Sequence, residues 1–311
     1  MIADLPVIDP AEWRAGDPEA RARLADEVDQ AARRFGFLLL ENHGVDAVLA
    51  ASARSLAQQF FALPEEVKYR YVTGVGGAGW MPPGIESNSY ALGVPAPADL
   101  KESYMLFENG RPGVDEEVVV AEVPGFNATL RAYFEASWAA AEELYELFAA
   151  ALGLAPGTLL AHTSRRSSAL KVNLYPPLSV TGPPQPGQFR VGAHSDFGVV
   201  TLLDRQPGYG GLQIQLLDGT WADAPYLEGT LTINIGDLLG RWTGDRWRST
   251  VHRVLPPSDQ APDESLISLI HFCGVDDDAI IETLPVGGPH HYETVRAGDY
   301  VGAKMASISI A

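Results

Sequence analysis

Residues 190–200 read RVGAHSDFGVV, and the distant segment 250–254 reads TVHRV. Side chains two apart on an extended strand leave the same face. His194 and Asp196 can therefore point into one cavity, and His252 can reach it from a facing strand. Two imidazoles and one carboxylate, with coordination positions left open, describe a non-haem Fe(II) site suited to oxygen chemistry. His-x-Asp alone is a weak signal, because 7 histidines and 40 acidic residues supply such pairs by chance. The surrounding sequence decides its weight.

Strands are expected at 169–175, 189–193, 199–203, 212–216, 231–235, 249–255 and 266–272. Asp218-Gly219 reads as a hairpin turn returning through Trp221, and the proline-rich 176–187 as a loop excluded from a sheet interior. Upstream the pattern is helical. Asp17-Pro18 opens a helix that runs to Phe35 and stops at Gly36; a buried strand at 37–40 comes next. Asp46 caps a second helix through Phe61, and a short one starts at Leu63-Pro64-Glu65-Glu66. In 126–152, Leu130, Phe134, Trp138, Leu144, Leu147 and Phe148 recur at helical spacing as a core-facing stripe, and Gly153 ends the helix. Residues 99–107 read as a strand, and the Gly/Pro-rich 72–84, which includes Trp80 and Met81, as the kind of loop that lines binding sites. Helices first and strands afterwards argue for a mainly β fold of two sheets with flanking helices. No linker interrupts the chain, so one domain over 1–311 is expected, helix-rich in 1–165 and strand-rich in 166–311.

A hydrophobic content of 46% is ample for a substantial core, while a net charge of −18 disfavours binding to nucleic acid. Asp115-Glu116-Glu117 and Asp276-Asp277-Asp278 read as solvated surface. Cys273, alone and in an apolar run, excludes an internal disulfide and reads as a buried, inert thiol in a reducing compartment. Neither a secretory signal nor an apolar run of membrane-spanning length is present, so a cytoplasmic protein without a membrane partner is expected. Nothing demands a second subunit, and a monomer suffices. His43 reads as a turn residue; His162, His290 and His291 read as helix-end or loop residues.

A set of further motifs lies in a specific order. They are Leu5-Pro6-Val7-Ile8-Asp9, Phe35-Gly36-Phe37 with Asn42-His43-Gly44, Phe60-Phe61-Ala62-Leu63-Pro64, and Gly79-Trp80-Met81-Pro82-Pro83-Gly84. Asp99-Leu100-Lys101-Glu102 and Leu170 to Pro177 (LKVNLYPP) come after these, then Gly210-Gly211-Leu212-Gln213, Asn234-Ile235-Gly236-Asp237 and Arg246-Trp247-Arg248-Ser249-Thr250. In this order the chain resembles the isopenicillin N synthase-like family of Fe(II)- and 2-oxoglutarate-dependent dioxygenases, over nearly its whole length. The resemblance implies a distorted double-stranded β-helix (jelly-roll) core with Fe(II) held by His194, Asp196 and His252. It implies O2 and 2-oxoglutarate as cosubstrates, succinate and CO2 as products, and a small molecule that is hydroxylated, desaturated or cyclised. By the same resemblance, Tyr175 and Ser268 border the cosubstrate; Asn173 shares a face with Tyr175, and Arg190 and Lys171 lie on strands close to the iron ligands in sequence. Trp80, Met81, Tyr90, Tyr104, Phe107, Phe197 and Phe272 are the expected walls of the substrate cavity.

One position departs from the family. Relatives that use 2-oxoglutarate usually carry Arg-x-Ser on a late strand, where the arginine grips the distal carboxylate; this chain has Leu266-Ile267-Ser268. A guanidinium recognises a carboxylate in bidentate fashion, and leaving a buried charge unpaired costs roughly 3–5 kcal/mol. Replacement cations considered on sequence are Lys171, Arg190, Arg246, Arg248, Arg253 and His271; strand alternation puts Arg253 and His271 on the wrong faces. Two alternatives stay open at this point: an iron oxidase that needs no 2-oxoglutarate, and a metal-binding protein without catalysis.

Overall fold

The computed structural model describes residues 1–108 and 118–310. Twelve strands build two sheets: β1 (Val7–Ile8), β2 (Phe37–Leu40), β3 (Gly79–Met81), β4 (Glu102–Phe107), β5 (Ala169–Tyr175), β6 (Val191–His194), β7 (Val200–Asp204), β8 (Leu212–Gln215), β9 (Trp221–Asp223), β10 (Leu231–Ile235), β11 (His252–Val254) and β12 (Leu266–Cys273). The larger sheet runs β1-β2-β10-β7-β12-β5-β4-β3, and the smaller β6-β11-β8-β9. In both, strands distant in sequence are neighbours, as in a jelly roll.

Four helices support the sheets or wall the site: α1 (Pro18–Arg34), α2 (Ala47–Phe61), α3 (Phe126–Ala151) and α4 (Ala297–Ser307). The first two start where expected. Asp17 accepts a hydrogen bond from the Ala20 amide and Asp46 one from the Leu49 amide, each replacing a missing intrahelical acceptor. Gly153, at φ 72°, stands just past the end of α3 in the left-handed conformation. Gly36 has a more demanding task. It turns at φ 64°, and a Cβ there would stand 2.3 Å from the Arg248 carbonyl oxygen, so only glycine lets the end of α1 approach the segment that leads into His252.

The larger sheet has two unlike faces because side chains alternate along each strand. On β12, Ile267 and Leu269 belong to the main apolar core with Phe134, Trp138 and Leu144 of α3. Leu266, Ser268, Ile270 and Phe272 point the other way, into the space between the sheets. The same alternation corrects the reading of two aromatic residues. Trp80 and Tyr104 are paired across β3 and β4 and share the outer face. Tyr104 packs on Phe60 and Phe126, and Trp80 donates to Glu102 at 2.7 Å. Both are core residues, not cavity walls.

His271, also on the outer face of β12, is fully buried against Phe134, and its Nδ1 lies 2.7 Å from Ser137 Oγ. Burial pushes its pKa down to about 3, so the folded protein holds it neutral. The unfolded chain takes up that proton below about pH 6.5. Between about 6.5 and 3 the unfolded state therefore binds more protons, and stability falls as the pH drops. At pH 5 the loss is about 2 kcal/mol. His271→Leu is expected to flatten the dependence of unfolding free energy on pH across about 6.5 to 5, measured by urea denaturation.

Two further expectations change. Asp276 is not solvated: it is buried, accepting from Ser164 Oγ at 2.6 Å and from the Arg165 amide at 2.7 Å. Asp115-Glu116-Glu117 lies outside the described residues. Among the described residues, no helix is long and apolar enough to cross a membrane.

Candidate metal centre

β6 and β11 are antiparallel neighbours with His194 opposite His252. The chain leaves β6 at His194, and Asp196 comes two residues later, so three ligating groups converge at one end of the smaller sheet. One donor atom from each of His194, Asp196 and His252 falls within 4.8 Å of the others, and all three residues are buried. Asp196 Oδ1 lies 3.5 Å from His194 Nε2 and 3.9 Å from His252 Nε2.

The neighbours of each ligand fix which atom it presents. His194 Nδ1 lies 2.8 Å from the Gly192 carbonyl and His252 Nδ1 3.1 Å from that of Thr250. Each Nδ1–H donates to its carbonyl, which turns the Nε2 lone pair toward the centre. Asp196 Oδ2 accepts from Thr201 Oγ1 at 2.6 Å and Asn234 Nδ2 at 2.7 Å, leaving Oδ1 for the centre. Burial opposes the Asp196 charge, yet His252, His194 and the Asn234 hydrogen bond hold its carboxyl well below the usual carboxylate range. Burial and the neighbouring His194 lower His252 to about 4, which keeps it a neutral donor. Burial opposes a charge on His194, but the Asp196 hydrogen bond and charge raise its pKa, so a metal ion would displace a proton there. Two imidazoles and one ionised carboxylate with locked orientations fit Fe(II), and three protein donors leave positions for other ligands.

Two cavities meet at this cluster. The first, of about 360 Å³, lies between the sheets; the second, of about 580 Å³, lies toward α4. His194, Asp196, Asn88, Lys171 and Phe272 line both. The first also takes in Asn173, Tyr175, Ser268 and Leu266. There Asn173 Oδ1 accepts from Ser103 Oγ at 2.7 Å, and its Nδ2 donates to the Tyr175 hydroxyl at 3.1 Å. Burial raises the Tyr175 phenol above its ordinary value, so it keeps a proton to donate. The second cavity is lined by Phe107, Phe197, Phe272, Met105, Leu238 and Met305, with Glu86 at its polar end.

Several expected site residues stand elsewhere. Of the expected substrate walls, Phe107, Phe197 and Phe272 line the second cavity, whereas Trp80, Met81, Tyr90 and Tyr104 line neither. Met81, opposite Ser103, is on the inner face but is covered by Met105 and Phe107. Tyr90 sits in the 3-10 turn Asn88–Leu92, from which Asn88 is the residue that reaches the cavities. Arg190 is buried outside the first cavity, held by Glu264 Oε1 at 2.9 Å. Arg246 is bound to Asp29, Arg248 to the Arg34 carbonyl, and Arg253 stacks on Trp221. Lys171 does reach the site, with its Nζ 2.7 Å from Glu86 Oε1; burial, with Lys101 adding to it, lowers Lys171 to about 8. Lys101 holds the other Glu86 oxygen, and the two lysines keep that buried carboxylate ionised despite its desolvation.

Residues outside the sequence expectation also converge on the centre. Thr201 and Asn234 orient the carboxylate, and Lys101, Asn88 and Glu86 close the space beside it. Arg205 lines the first cavity. Alternation was the signal for it: Thr201, Leu203 and Arg205 share the inner face once β7 is continued two residues past Leu203.

Similarity to known proteins extends over nearly the whole chain. A family model described as the 2OG-Fe(II) oxygenase superfamily matches residues 166–274, and one described as non-haem dioxygenase in morphine synthesis N-terminal matches residues 5–119. The chain is 37% identical to validamycin A dioxygenase of Streptomyces hygroscopicus subsp. limoneus, over 97% of this chain and 86% of that protein. It is 30% identical to the 2-oxoglutarate-dependent dioxygenase thnC of Trichoderma harzianum, over 81% of this chain and 79% of that one. Among solved structures, a full-length Neurospora crassa protein in complex with α-KG superposes with a TM-score of 0.84 at 29% identity, covering 97% of this chain and 96% of that chain. The same Neurospora protein has also been solved with α-KG and thymine bound.

Proposed function

Because the chain belongs to the 2OG-Fe(II) oxygenase superfamily, we propose that His194, Asp196 and His252 hold its iron, that the first cavity takes 2-oxoglutarate, and that the second takes the substrate. The protein is an Fe(II)/2-oxoglutarate-dependent dioxygenase that acts with O2 on a small molecule. One observation carries the assignment of the cavities: they are separate spaces that share His194 and Asp196 as a wall. Two reactants can thus approach one centre from different sides.

Bound at this centre, Fe(II) couples O2 activation to decarboxylation of the keto acid and oxidation of the substrate. The chain's own groups bind, orient and exclude. Tyr175, Ser268 and Asn173 offer neutral hydrogen bonds in the first cavity. The aromatic and thioether walls of the second keep water from the reacting side and suit a substrate with an apolar body. Glu86 and Lys171, which line the second cavity, offer polar contacts to one end of that substrate.

The test is oxidation of 2-oxoglutarate in air with Fe(II), ascorbate as the reductant that replaces the missing substrate, and no added substrate, monitoring succinate. Slow, iron-dependent succinate formation supports the reading; its absence at millimolar 2-oxoglutarate, with iron bound, contradicts it. In the same assay Tyr175→Phe is expected to raise the half-saturating 2-oxoglutarate roughly tenfold, the worth of one hydrogen bond to a charged ligand.

A further inference from the structure

We infer that Arg205 binds the distal carboxylate of 2-oxoglutarate, reaching from β7 the place that Leu266 leaves without a cation on β12. This rests on the assignment of the first cavity to 2-oxoglutarate. A dicarboxylate entering a chamber between two sheets needs a positive partner for the end that does not chelate iron. Leu266 cannot serve, and it is packed with Tyr175 and Val191 as an apolar residue.

Among the described residues, three cations line the chamber: Lys101, Lys171 and Arg205. Both lysines are held by Glu86, and Lys101 lies a further 4.0 Å from Asp99. Arg205 has no carboxylate partner among the described residues. Its guanidinium donates only to the carbonyls of Pro225 and of Ala224, the latter at 3.4 Å, and sits 5.6 Å from the Tyr226 ring centroid. Burial lowers its pKa to about 10, which marks a charge that its surroundings do not balance.

The sheet register puts this cation where the ligand needs it. β7 ends at Asp204, paired with Leu269, and continuing that register by one residue sets Arg205 opposite Ser268. The Ile267 amide, donating to Gln206 Oε1 at 2.6 Å, keeps the strands together beyond that pair. Asp204 turns outward to Arg54 and Tyr133, which sends Arg205 inward. Arg205 and Ser268 thus line one wall from adjacent strands, and the cation has moved across the ladder.

The test uses anaerobic Fe(II) protein and two keto acids, 2-oxoglutarate and 2-oxopentanoate, which lacks the distal carboxylate. Binding of each is measured by the visible band of the iron chelate and by calorimetry. The wild type is expected to prefer 2-oxoglutarate by roughly 10²- to 10³-fold. Arg205→Gln should lose that preference by weakening 2-oxoglutarate alone. Arg205→Lys, which keeps the charge, should lose less, and it serves if the glutamine variant does not fold. Arg205→Leu combined with Leu266→Arg should regain the preference. If Arg205→Gln leaves 2-oxoglutarate binding unchanged, or weakens both acids equally, Arg205 only props the 224–225 loop and the inference is overturned. A wild type that binds neither acid instead overturns the cavity assignment itself.

Discussion

Asp196→Asn is expected to abolish turnover and to weaken Fe(II) binding by more than the roughly 10- to 100-fold that loss of an outer hydrogen-bond partner brings. The carboxylate has two tasks. Oδ2 accepts from Thr201 and Asn234, and Oδ1 faces the histidines. An amide has only one acceptor oxygen. If that oxygen serves Thr201 and Asn234, an NH2 group points at the dication; if it faces the metal, Asn234 meets another NH2. Either orientation also removes the one negative charge among the three ligands. Asn234→Leu, which removes only an orienting bond, should fall within the roughly 10- to 100-fold range. The measurement is Fe(II) affinity by competition with a chelator, with the melting temperature of the metal-free variant as the control for folding. Equal Fe(II) affinity in Asp196→Asn and wild type would remove Asp196 from the ligand set.

Asp29→Ala is expected to destabilise the fold by about 3–5 kcal/mol, the cost of breaking a buried charged network from one side. Asp29, on α1, accepts from Trp247 Nε1 at 2.7 Å and from Arg246 Nε at 3.0 Å, and it pairs with Arg33 at 2.8 Å. Trp247 is fully buried, so alanine would strand its indole N–H and leave the half-buried Arg246 without its anion. The melting temperature should fall by roughly 10 °C. The effect reaches the metal. Residues 246–250 lead straight into His252, and the Thr250 carbonyl orients that ring. Asp29→Ala should therefore also weaken Fe(II) binding, although Asp29 touches no ligand. Asp29→Asn keeps an acceptor for Trp247 and should lose about half as much stability. An unchanged melting temperature for the alanine variant would show that the network is not a stabilising anchor.

The spacing of His194 and Asp196 was a weak signal alone; the ligand cluster was legible because the motifs around that pair and before His252 stand in the family's order. Helix starts were legible through Asp17 and Asp46, whose side chains cap as their sequence context implies. The limits were set by faces and registers. A strand over 99–107 can be read from its residues, but whether Tyr104 or Met105 meets the cavity depends on pairing with β3 and β5, which local sequence does not encode. Alternation could place Arg205 on the inner face, but not beside Ser268 and Leu266, which line the same cavity from far along the chain. Glu86, Lys101 and Lys171 come from three separate segments and show their relation only in space. The helix Ala297–Ser307, which walls the second cavity, has no capping side chain to announce it.

Whether iron and 2-oxoglutarate meet at His194, Asp196 and His252 is decided by an anaerobic titration of the Fe(II)-loaded wild type with 2-oxoglutarate, watching for the weak visible charge-transfer band of the iron–keto acid chelate. It requires no knowledge of the substrate. A saturable band is expected, with equimolar 2-oxoglutarate and iron at the endpoint, and it should be lost in Asp196→Asn. Iron that binds with no band at saturating 2-oxoglutarate would contradict this assignment, and would point to an oxidase whose substrate itself supplies the electrons.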